Sequence, residues 1–434
     1  MMAAAVFASA GLLEAAILIC RLSFKSRCAQ LTCLIRACEL ALFALLVFTG
    51  VIPWGFRFWL LGGFLLGQLL FSALRYFSKY AKKKPFRPFH AAFTTLGALV
   101  LILISAIPAI LFPESGIIPP TGQFQVATAA FTYTDESRTE SFSKRDLPRR
   151  VNVAFWYPQT EEGKYPLVVF SHGGMSIKTS NESLYYELAS NGYVVCSIDH
   201  PYHSLYTDYD DGQRVYISGE YMHQLQKEDA KTDRQQSFAF YQQWMPLRTS
   251  DMNFVIDTIL DMADKSTAGM PFSLVDGTKI GVMGHSLGGA AALGVGRQRD
   301  NIDAVIALES PFLCDITGVE NGEFVFTGDE YPAPVLNIYS DSAYTHLAQW
   351  PQYAQNQKLL EKPEPDSFSV CIQGTGHFSL TDLSLTSPVL TRMFNGFASS
   401  VDAEYCLKII NRQCLQFFDS YLKDAGKYTG DGQY

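Results

Sequence analysis

The chain has 434 residues, 48% of them hydrophobic and 13% aromatic, and a formal net charge of −8. The aromatic content excludes intrinsic disorder, and the acidic balance, without a basic stripe, argues against nucleic-acid binding. The charge is unevenly divided, because residues 1–120 carry 11 Lys and Arg against 3 Asp and Glu, whereas residues 121–434 carry 23 against 39. The two parts are therefore expected to occupy different environments.

Four apolar stretches predict that residues 1–112 form an all-α transmembrane domain of about four helices. They cover roughly 3–20, 37–54, 58–74 and 91–112. A helix that crosses a bilayer needs about 20 predominantly apolar residues, and the fourth stretch fits that length best. The first stretch fits least well because it contains Glu14, so its crossing is left open.

Basic residues in two loops predict the orientation of these helices. The loops after the first and third stretches hold Arg21, Lys25, Arg27 and Arg36, and Arg75, Lys79, Lys82, Lys83, Lys84 and Arg87. The turn between the second and third stretches holds only Arg57. Because basic loops stay on the cytoplasmic side, the fourth helix leaves the membrane outward. We therefore predict an integral plasma-membrane protein whose remaining residues are extracytoplasmic.

Residues 113–122 are rich in Pro and Gly and predict a linker, after which residues 123–434 form a water-soluble domain. Short β-rich runs alternate there with helical segments such as Asn181–Gly192 and Thr249–Asp264. The β-rich runs are Val151–Pro158, Tyr165–His172, Tyr193–Asp199, Lys279–His285, Asp303–Glu309, Ala333–Asp341 and Ser367–Gly374. Most are continuously apolar, as in strands buried on both faces, so the predicted fold is a mostly parallel, doubly wound α/β sheet.

The connection over about 201–248 is long for a link between a strand and a helix. Aromatic residues crowd it, namely Tyr202, Tyr206, Tyr209, Tyr216, Tyr221, Phe238, Phe240, Tyr241 and Trp244. We predict that this segment is a cap over a pocket. The alternative is an aromatic-packed excursion at the surface.

A nucleophile motif follows the fourth of these runs. Gly284-His285-Ser286-Leu287-Gly288 matches G-x-S-x-G, with a predicted strand before it and a helix-like run after it. In that context a sharp strand-to-helix turn exposes the serine hydroxyl, and the flanking glycines remove side chains that would clash. We therefore predict that Ser286 is a nucleophile; the alternative is a serine that caps the helix.

A serine nucleophile needs a base, and on this fold the chain order is serine, acid, histidine. Only His346 and His377 follow Ser286. His377 comes after a predicted strand and a Gly-Thr-Gly turn, which favours it as the base. The acid is either Glu309 or Asp341, since each ends a predicted strand and spacing does not separate them.

The oxyanion donors are predicted from a second glycine-containing loop. Phe170-Ser171-His172-Gly173-Gly174-Met175 follows an early strand, where an HGG-type loop supplies a backbone N–H. We assign that donor to Gly174 and the other to Leu287, the residue after the nucleophile.

Four segments together resemble the plasma-type platelet-activating factor acetylhydrolase family of α/β-hydrolases. They are YPLVVFSHGG (Tyr165–Gly174), LASNGYVVCSIDH (Leu188–His200), KIGVMGHSLGGAAA (Lys279–Ala291) and DAVIALES (Asp303–Ser310). The resemblance covers about 120–430 and leaves out the membrane part. In this family the strand after the nucleophile ends in the catalytic acid, an aspartate, so the resemblance favours Glu309 over Asp341.

These observations predict a membrane-anchored serine ester hydrolase of the carboxylesterase or lipase kind. The acyl-enzyme would form on Ser286, and short-chain or oxidised phospholipids are the expected substrates. No cofactor is expected, and the lack of CxxC and HExxH motifs gives a metal site no support. Two alternatives are an acyltransferase with the same triad and a non-catalytic membrane sensor or accessory protein.

Overall fold

The computed structural model describes residues 2–24, 28–78, 86–143, 145–265, 269–430 and 432–434. These residues divide into two units, Met1–Ser115 with Thr386–Leu390, and Gly116–Leu385 with Thr391–Tyr434. Six of the basic residues used to predict orientation lie outside the described residues, namely Lys25, Arg27, Lys79, Lys82, Lys83 and Lys84.

The first unit is built from helices α1 (Met2–Ser23), α2 (Ala29–Phe48), α3 (Phe56–Phe77) and α4 (Pro88–Leu111). In the part of the chain that the structure describes, these four are long and apolar enough to cross a membrane. The prediction that the chain begins with an all-α region is confirmed. Helix α2 starts eight residues before the predicted stretch, because its first turns carry polar Thr32 and Arg36 and were not apolar enough to be recognised.

A buried ion pair joins α1 to α2. Arg36 donates a hydrogen bond from Nη2 to Glu14 Oε1 at 2.6 Å, and the two residues are 5% and 3% exposed. The carboxylate that made the first stretch the weakest candidate is thus compensated by a charge from the next helix. Phe7 of α1 also stacks on Phe58 of α3, with ring centroids 6.0 Å apart.

The second unit contains thirteen strands within the described ranges. They are β1 (Val126–Thr139), β2 (Pro148–Pro158), β3 (Tyr165–Ser171), β4 (Val194–Asp199), β5 (Tyr206–Asp208), β6 (Arg214–Tyr216), β7 (Val275–His285), β8 (Ala304–Leu308), β9 (Ile316–Glu320), β10 (Glu323–Phe326), β11 (Val335–Ser340), β12 (Ser367–Ile372) and β13 (Gly432–Gln433). Nine of them form one sheet in the order β1-β2-β4-β3-β7-β8-β11-β12-β13, and β5-β6 and β9-β10 are separate antiparallel pairs. The sheet is parallel from β4 to β13 and antiparallel where β2 pairs with β1 and β4.

Nine α-helices follow β3 within the described ranges, and four of them pack against the sheet. The nine are α5 (Glu182–Ser190), α6 (Gly219–Lys227), α7 (Arg234–Ala263), α8 (Leu287–Gln298), α9 (Asp341–Tyr344), α10 (Ala354–Glu361), α11 (Leu383–Thr386), α12 (Pro388–Asn395) and α13 (Ala403–Leu422). Helices α5 and α13 pack on one face of the sheet, and α7 and α8 pack on the other. Alternate residues along one strand enter opposite cores: Phe170 of β3 packs with α5 and α13, and Val169 packs with α7 and α8. This two-sided burial confirms the predicted α/β-hydrolase type of fold.

Strand β1 and helix α7 differ from the sequence prediction, as do the short strands β5, β6, β9, β10 and β13, which were not predicted. Strand β1 was not predicted, because its residues alternate between partly buried and exposed and its end is polar. Helix α7 begins at Arg234, capped by Asp233, and not near Thr249. It continues through Pro246, where one backbone hydrogen bond is lost, because the neighbouring Trp244 and Met245 are buried.

Substitution of Phe418 tests how strongly the packing of α13 on the sheet stabilises the fold. Its ring is fully buried against β7, where a β-carbon on Gly281 would come within 2.7 Å of Phe418 Cε1. We expect Phe418→Ala to lower the free energy of unfolding by about 3–5 kcal/mol, because it leaves a cavity in the core. Urea unfolding of the full chain in detergent measures this change. Tyr405→Ala, on the exposed face of the same helix, is the control and is expected to change stability by less than about 0.5 kcal/mol.

Candidate active site

The turn between β7 and α8 holds Ser286 in a strained conformation, with φ 55° and ψ −126°. Such a backbone costs roughly 1–3 kcal/mol and persists only where its surroundings impose it. Here the Ser286 N–H donates to the Leu308 carbonyl at 2.9 Å. A β-carbon on Gly288 would lie 2.0 Å from the Ser171 carbonyl oxygen, and one on Gly284 would lie 2.4 Å from the Gly288 carbonyl carbon. The turn therefore requires glycine at both positions.

His377 and Glu309 form a hydrogen-bonded pair beyond the ends of β12 and β8, two strands that β11 separates. His377 follows β12 and donates from Nδ1 to Glu309 Oε1 at 2.7 Å. The other carboxylate oxygen of Glu309 accepts from the Ser340 N–H at 2.9 Å. Glu309 is 2% exposed and has a left-handed backbone with φ 48°. The Glu309 carboxylate is therefore held in one orientation, with one of its oxygens hydrogen-bonded to the His377 imidazole.

Asp341 and His346 both follow strand β11, and they make other contacts. Asp341 Oδ2 accepts from the Gly374 N–H at 3.1 Å, within the loop that leads to His377. His346 contacts the short helix α9 that precedes it, with Nδ1 2.8 Å from the Ser342 carbonyl oxygen. The Asp341 carboxylate thus supports the backbone of the loop that leads to His377, whereas Glu309 contacts the His377 imidazole.

His285 links the serine turn to the histidine loop. Its ring centroid is 4.5 Å from that of His377, and its Nε2 lies 3.1 Å from the His377 carbonyl oxygen. Burial, together with the neighbouring His377, lowers the pKa of His285 well below the ordinary value. The ring is therefore neutral, and because a carbonyl only accepts, Nε2 carries the proton.

The loop after β3 runs beside the nucleophile. A β-carbon on Gly173 would lie 3.5 Å from Ser286 Cβ, and one on Gly174 would lie 3.3 Å from Leu287 Cδ1. Leu287 is the first residue of α8, whose N–H has no partner inside the helix. In the described part of the chain, neither the Gly174 N–H nor the Leu287 N–H donates to another residue. Two backbone N–H groups without a partner in the described residues thus lie close to Ser286.

A buried polar network that the sequence did not reveal lies behind this loop. Ser171 Oγ is 2.8 Å from His200 Nε2, and His200 Nδ1 is 3.0 Å from Asp251 Oδ2. Arg149 also donates to Asp251, at 2.7 Å. Burial lowers the pKa of His200 to about 4. Burial alone would raise the pKa of Asp251, but the Arg149 charge and the His200 hydrogen bond lower it well below its usual range. His200 is itself fully buried.

The side chains in the described ranges do not indicate a metal site. No group of three or more His, Cys, Asp or Glu residues there is placed to hold a metal ion.

Comparison with known proteins identifies the family. A family model described as platelet-activating factor acetylhydrolase, isoform II, matches residues 140–432. The platelet-activating factor acetylhydrolase of the guinea pig, Cavia porcellus, is 25% identical over 326 residues, covering 72% of this chain and 70% of that protein. The enzyme of the dog, Canis lupus familiaris, is 23% identical over 274 residues, covering 60% of this chain and 57% of that protein.

A solved structure gives the same fold. Ferulic acid esterase from Streptomyces cinnamoneus superposes with a TM-score of 0.54 at 20% identity, covering 72% of this chain and 96% of the esterase. At that identity the likeness shows the fold alone. The family model covers well over half of the chain, and the predicted class of ester-hydrolysing serine hydrolase is confirmed with it. The chain belongs to the platelet-activating factor acetylhydrolase, isoform II, family.

Proposed function

We propose that this protein is a membrane-anchored ester hydrolase that works through an acyl-enzyme on Ser286, with His377 as base and Glu309 as acid. The observation that carries the proposal is the 2.7 Å hydrogen bond from His377 Nδ1 to Glu309 Oε1. It leaves Nε2 of the same ring as the acceptor for the proton of a serine. Ser286 lies in a strained turn whose neighbour, His285, packs on that ring.

Acylation begins when His377 Nε2 takes the Ser286 proton and Ser286 Oγ attacks the ester carbonyl carbon. The carbonyl oxygen becomes an oxyanion, and the Gly174 and Leu287 N–H groups donate to it. Glu309 stabilises the imidazolium that forms. The tetrahedral intermediate then expels the alcohol, which takes its proton from His377, and leaves the acyl group on Ser286.

Deacylation repeats the sequence with water as the nucleophile. His377 removes a proton from water, the resulting hydroxide attacks the acyl-serine, and the two backbone N–H groups again hold the oxyanion. Collapse of this intermediate returns the proton to Ser286 and releases a carboxylic acid.

The proposed substrate is a short-chain or oxidised phospholipid. Leu287 packs with an apolar cluster that includes Tyr221, Tyr241 and Trp244 from the proposed cap. These apolar side chains favour the binding of an acyl chain, rather than a charged group, beside the oxyanion donors. Relatives named for hydrolysis of platelet-activating factor support the same class. Four helices long enough to cross a bilayer, among the described residues, favour a substrate that partitions to membranes.

The proposed location is the plasma membrane, with the hydrolase unit on the extracytoplasmic side. The support is the excess of Lys and Arg in the loops after the first and third helices.

The catalytic proposal predicts a requirement for Ser286 and a preference for short acyl groups. We expect phospholipid esters to be hydrolysed with rates that fall from acetyl to dodecanoyl, and Ser286→Ala to lower kcat by about 10⁴-fold or more, because the nucleophile is lost. Release of fatty acid by the full chain in detergent measures both. A Ser286→Ala variant that keeps more than about a hundredth of the rate would contradict the mechanism. Transfer of the acyl group to an added alcohol, with little free acid, would favour an acyltransferase.

Two isosteric substitutions distinguish the acid from its neighbour. We expect Glu309→Gln to lower kcat by about 10³–10⁴-fold, because the amide no longer stabilises the imidazolium. Asp341→Asn is the matched control and should lower kcat by less than about 10-fold, since Asp341 contacts the loop backbone. Steady-state kinetics of the two purified variants provide the measurement, and the reverse ranking would assign the acid to Asp341.

The orientation can be tested with reporter fusions in a bacterial host. A phosphatase that is active only outside the cytoplasm should be active when fused after residue 115. The same reporter fused after residue 87 should be inactive, because the loop before it is basic and stays inside. Activity in the opposite pattern would place the hydrolase unit in the cytoplasm.

A further inference from the structure

Arg248, on α7, is a fully buried cation that faces the oxyanion loop. It is 0% exposed. Its Nη1 donates to the His172 carbonyl at 2.7 Å and its Nη2 to the Gly173 carbonyl at 3.3 Å. A weaker contact, at 3.4 Å, joins Nη2 to the Tyr221 hydroxyl. Two of its three partners are thus consecutive peptide groups of the loop that carries Gly174.

The surroundings of Arg248 differ from those of the other buried arginine nearby. Arg149 is 3% exposed and forms ion pairs with Glu140 and Asp251, each at 2.7 Å. Arg248 forms no ion pair with any carboxylate in the described residues, and its charge is met by neutral oxygen atoms. Burying a cation without a carboxylate is costly. A group held at that cost beside a catalytic loop is a candidate for a role in the reaction.

The Gly173 carbonyl and the Gly174 N–H belong to the same peptide group. In a trans peptide these two bonds point in opposite directions within one plane. A donor that fixes the carbonyl oxygen therefore fixes the direction of the N–H. His172 contributes to the same restraint, because its Nδ1 lies 2.6 Å from the Gly173 oxygen. The Gly174 N–H is thereby aimed away from Arg248.

We propose that Arg248 is the positioning residue of the oxyanion hole, holding the His172 and Gly173 carbonyls so that the Gly174 N–H points at the developing oxyanion. This role rests on the proposed function, in which Gly174 is one of the two donors. The guanidinium also polarises the Gly173–Gly174 peptide, because its positive charge lies at the oxygen end and strengthens the N–H as a donor. Arg248 does not touch the substrate, and its effect passes through the loop.

The fork of the guanidinium explains why an arginine occupies this position. Its two terminal nitrogens bond two successive carbonyl groups, and their planar arrangement fixes both peptides at once. A lysine ammonium is a single point donor and cannot reproduce that geometry. Arg248→Lys keeps the positive charge and removes the forked pair of donors. This variant therefore distinguishes a role in positioning the loop from a role in balancing charge.

The test compares an ester with its thionoester, in which sulfur replaces the carbonyl oxygen. Sulfur is a poor hydrogen-bond acceptor, so the ratio of kcat/KM for the two substrates reports how well the oxyanion donors act. This ratio does not depend on the fraction of folded enzyme, so it is informative even for a poorly folded variant. In Arg248→Lys and Arg248→Gln we expect kcat for the ester to fall about 10²-fold with KM changed less than about 3-fold, and the ratio to fall about 10-fold.

Arg297→Lys is the control, because Arg297 pairs with Asp315 away from the loop and its loss affects stability only. An unchanged ester-to-thionoester ratio in both Arg248 variants would overturn the positioning role. The proposed function fails separately, if Ser286→Ala retains the activity of the wild type. A ratio that falls equally in Arg297→Lys would also overturn the proposal, since the effect would then come from general loosening of the fold.

Discussion

The close approach of the serine turn to the loop after β3 is the constraint on which the rest of the site depends. A β-carbon on Gly288 would collide with the Ser171 carbonyl oxygen at 2.0 Å, and one on Gly289 with the Ser310 hydroxyl, also at 2.0 Å. Only glycines let α8 start so near its neighbours. That proximity brings the Leu287 N–H and the loop that carries Gly174 close to Ser286. The geometry of the candidate site is therefore set by backbone packing before any side chain contributes.

Strain at two strand ends complements this packing. Ser286 and Glu309 both have positive φ, at 55° and 48°, and each directly follows the buried end of a strand. Their N–H groups donate to the neighbouring strand ends, at Leu308 and Ile338. The parallel sheet thus holds two residues in conformations that an isolated chain would avoid. The core on both faces supplies the stability that keeps Ser286 and Glu309 in these conformations.

The sequence predicted the strands that are buried on both faces, since a continuous apolar run is visible without a structure. It missed β1, whose burial alternates weakly. Spacing alone did not choose between Glu309 and Asp341, and only the family resemblance favoured Glu309. Both carboxylates end neighbouring parallel strands, and the direction of each side chain depends on a backbone angle that spacing does not reveal. Arg248 was missed for another reason. An arginine in a helix usually indicates a solvated face, and only the folded chain shows which carbonyl groups it meets.

The Glu14–Arg36 pair has a consequence for how the chain enters a bilayer. Either charge alone would add about 2.5–3.5 kcal/mol to the insertion of its helix. Neither is compensated until α1 and α2 lie side by side. In the proposed membrane anchor, the two helices are therefore best inserted together as a hairpin. One ionic contact, formed as soon as α2 has been synthesised, would then favour assembly of the proposed anchor.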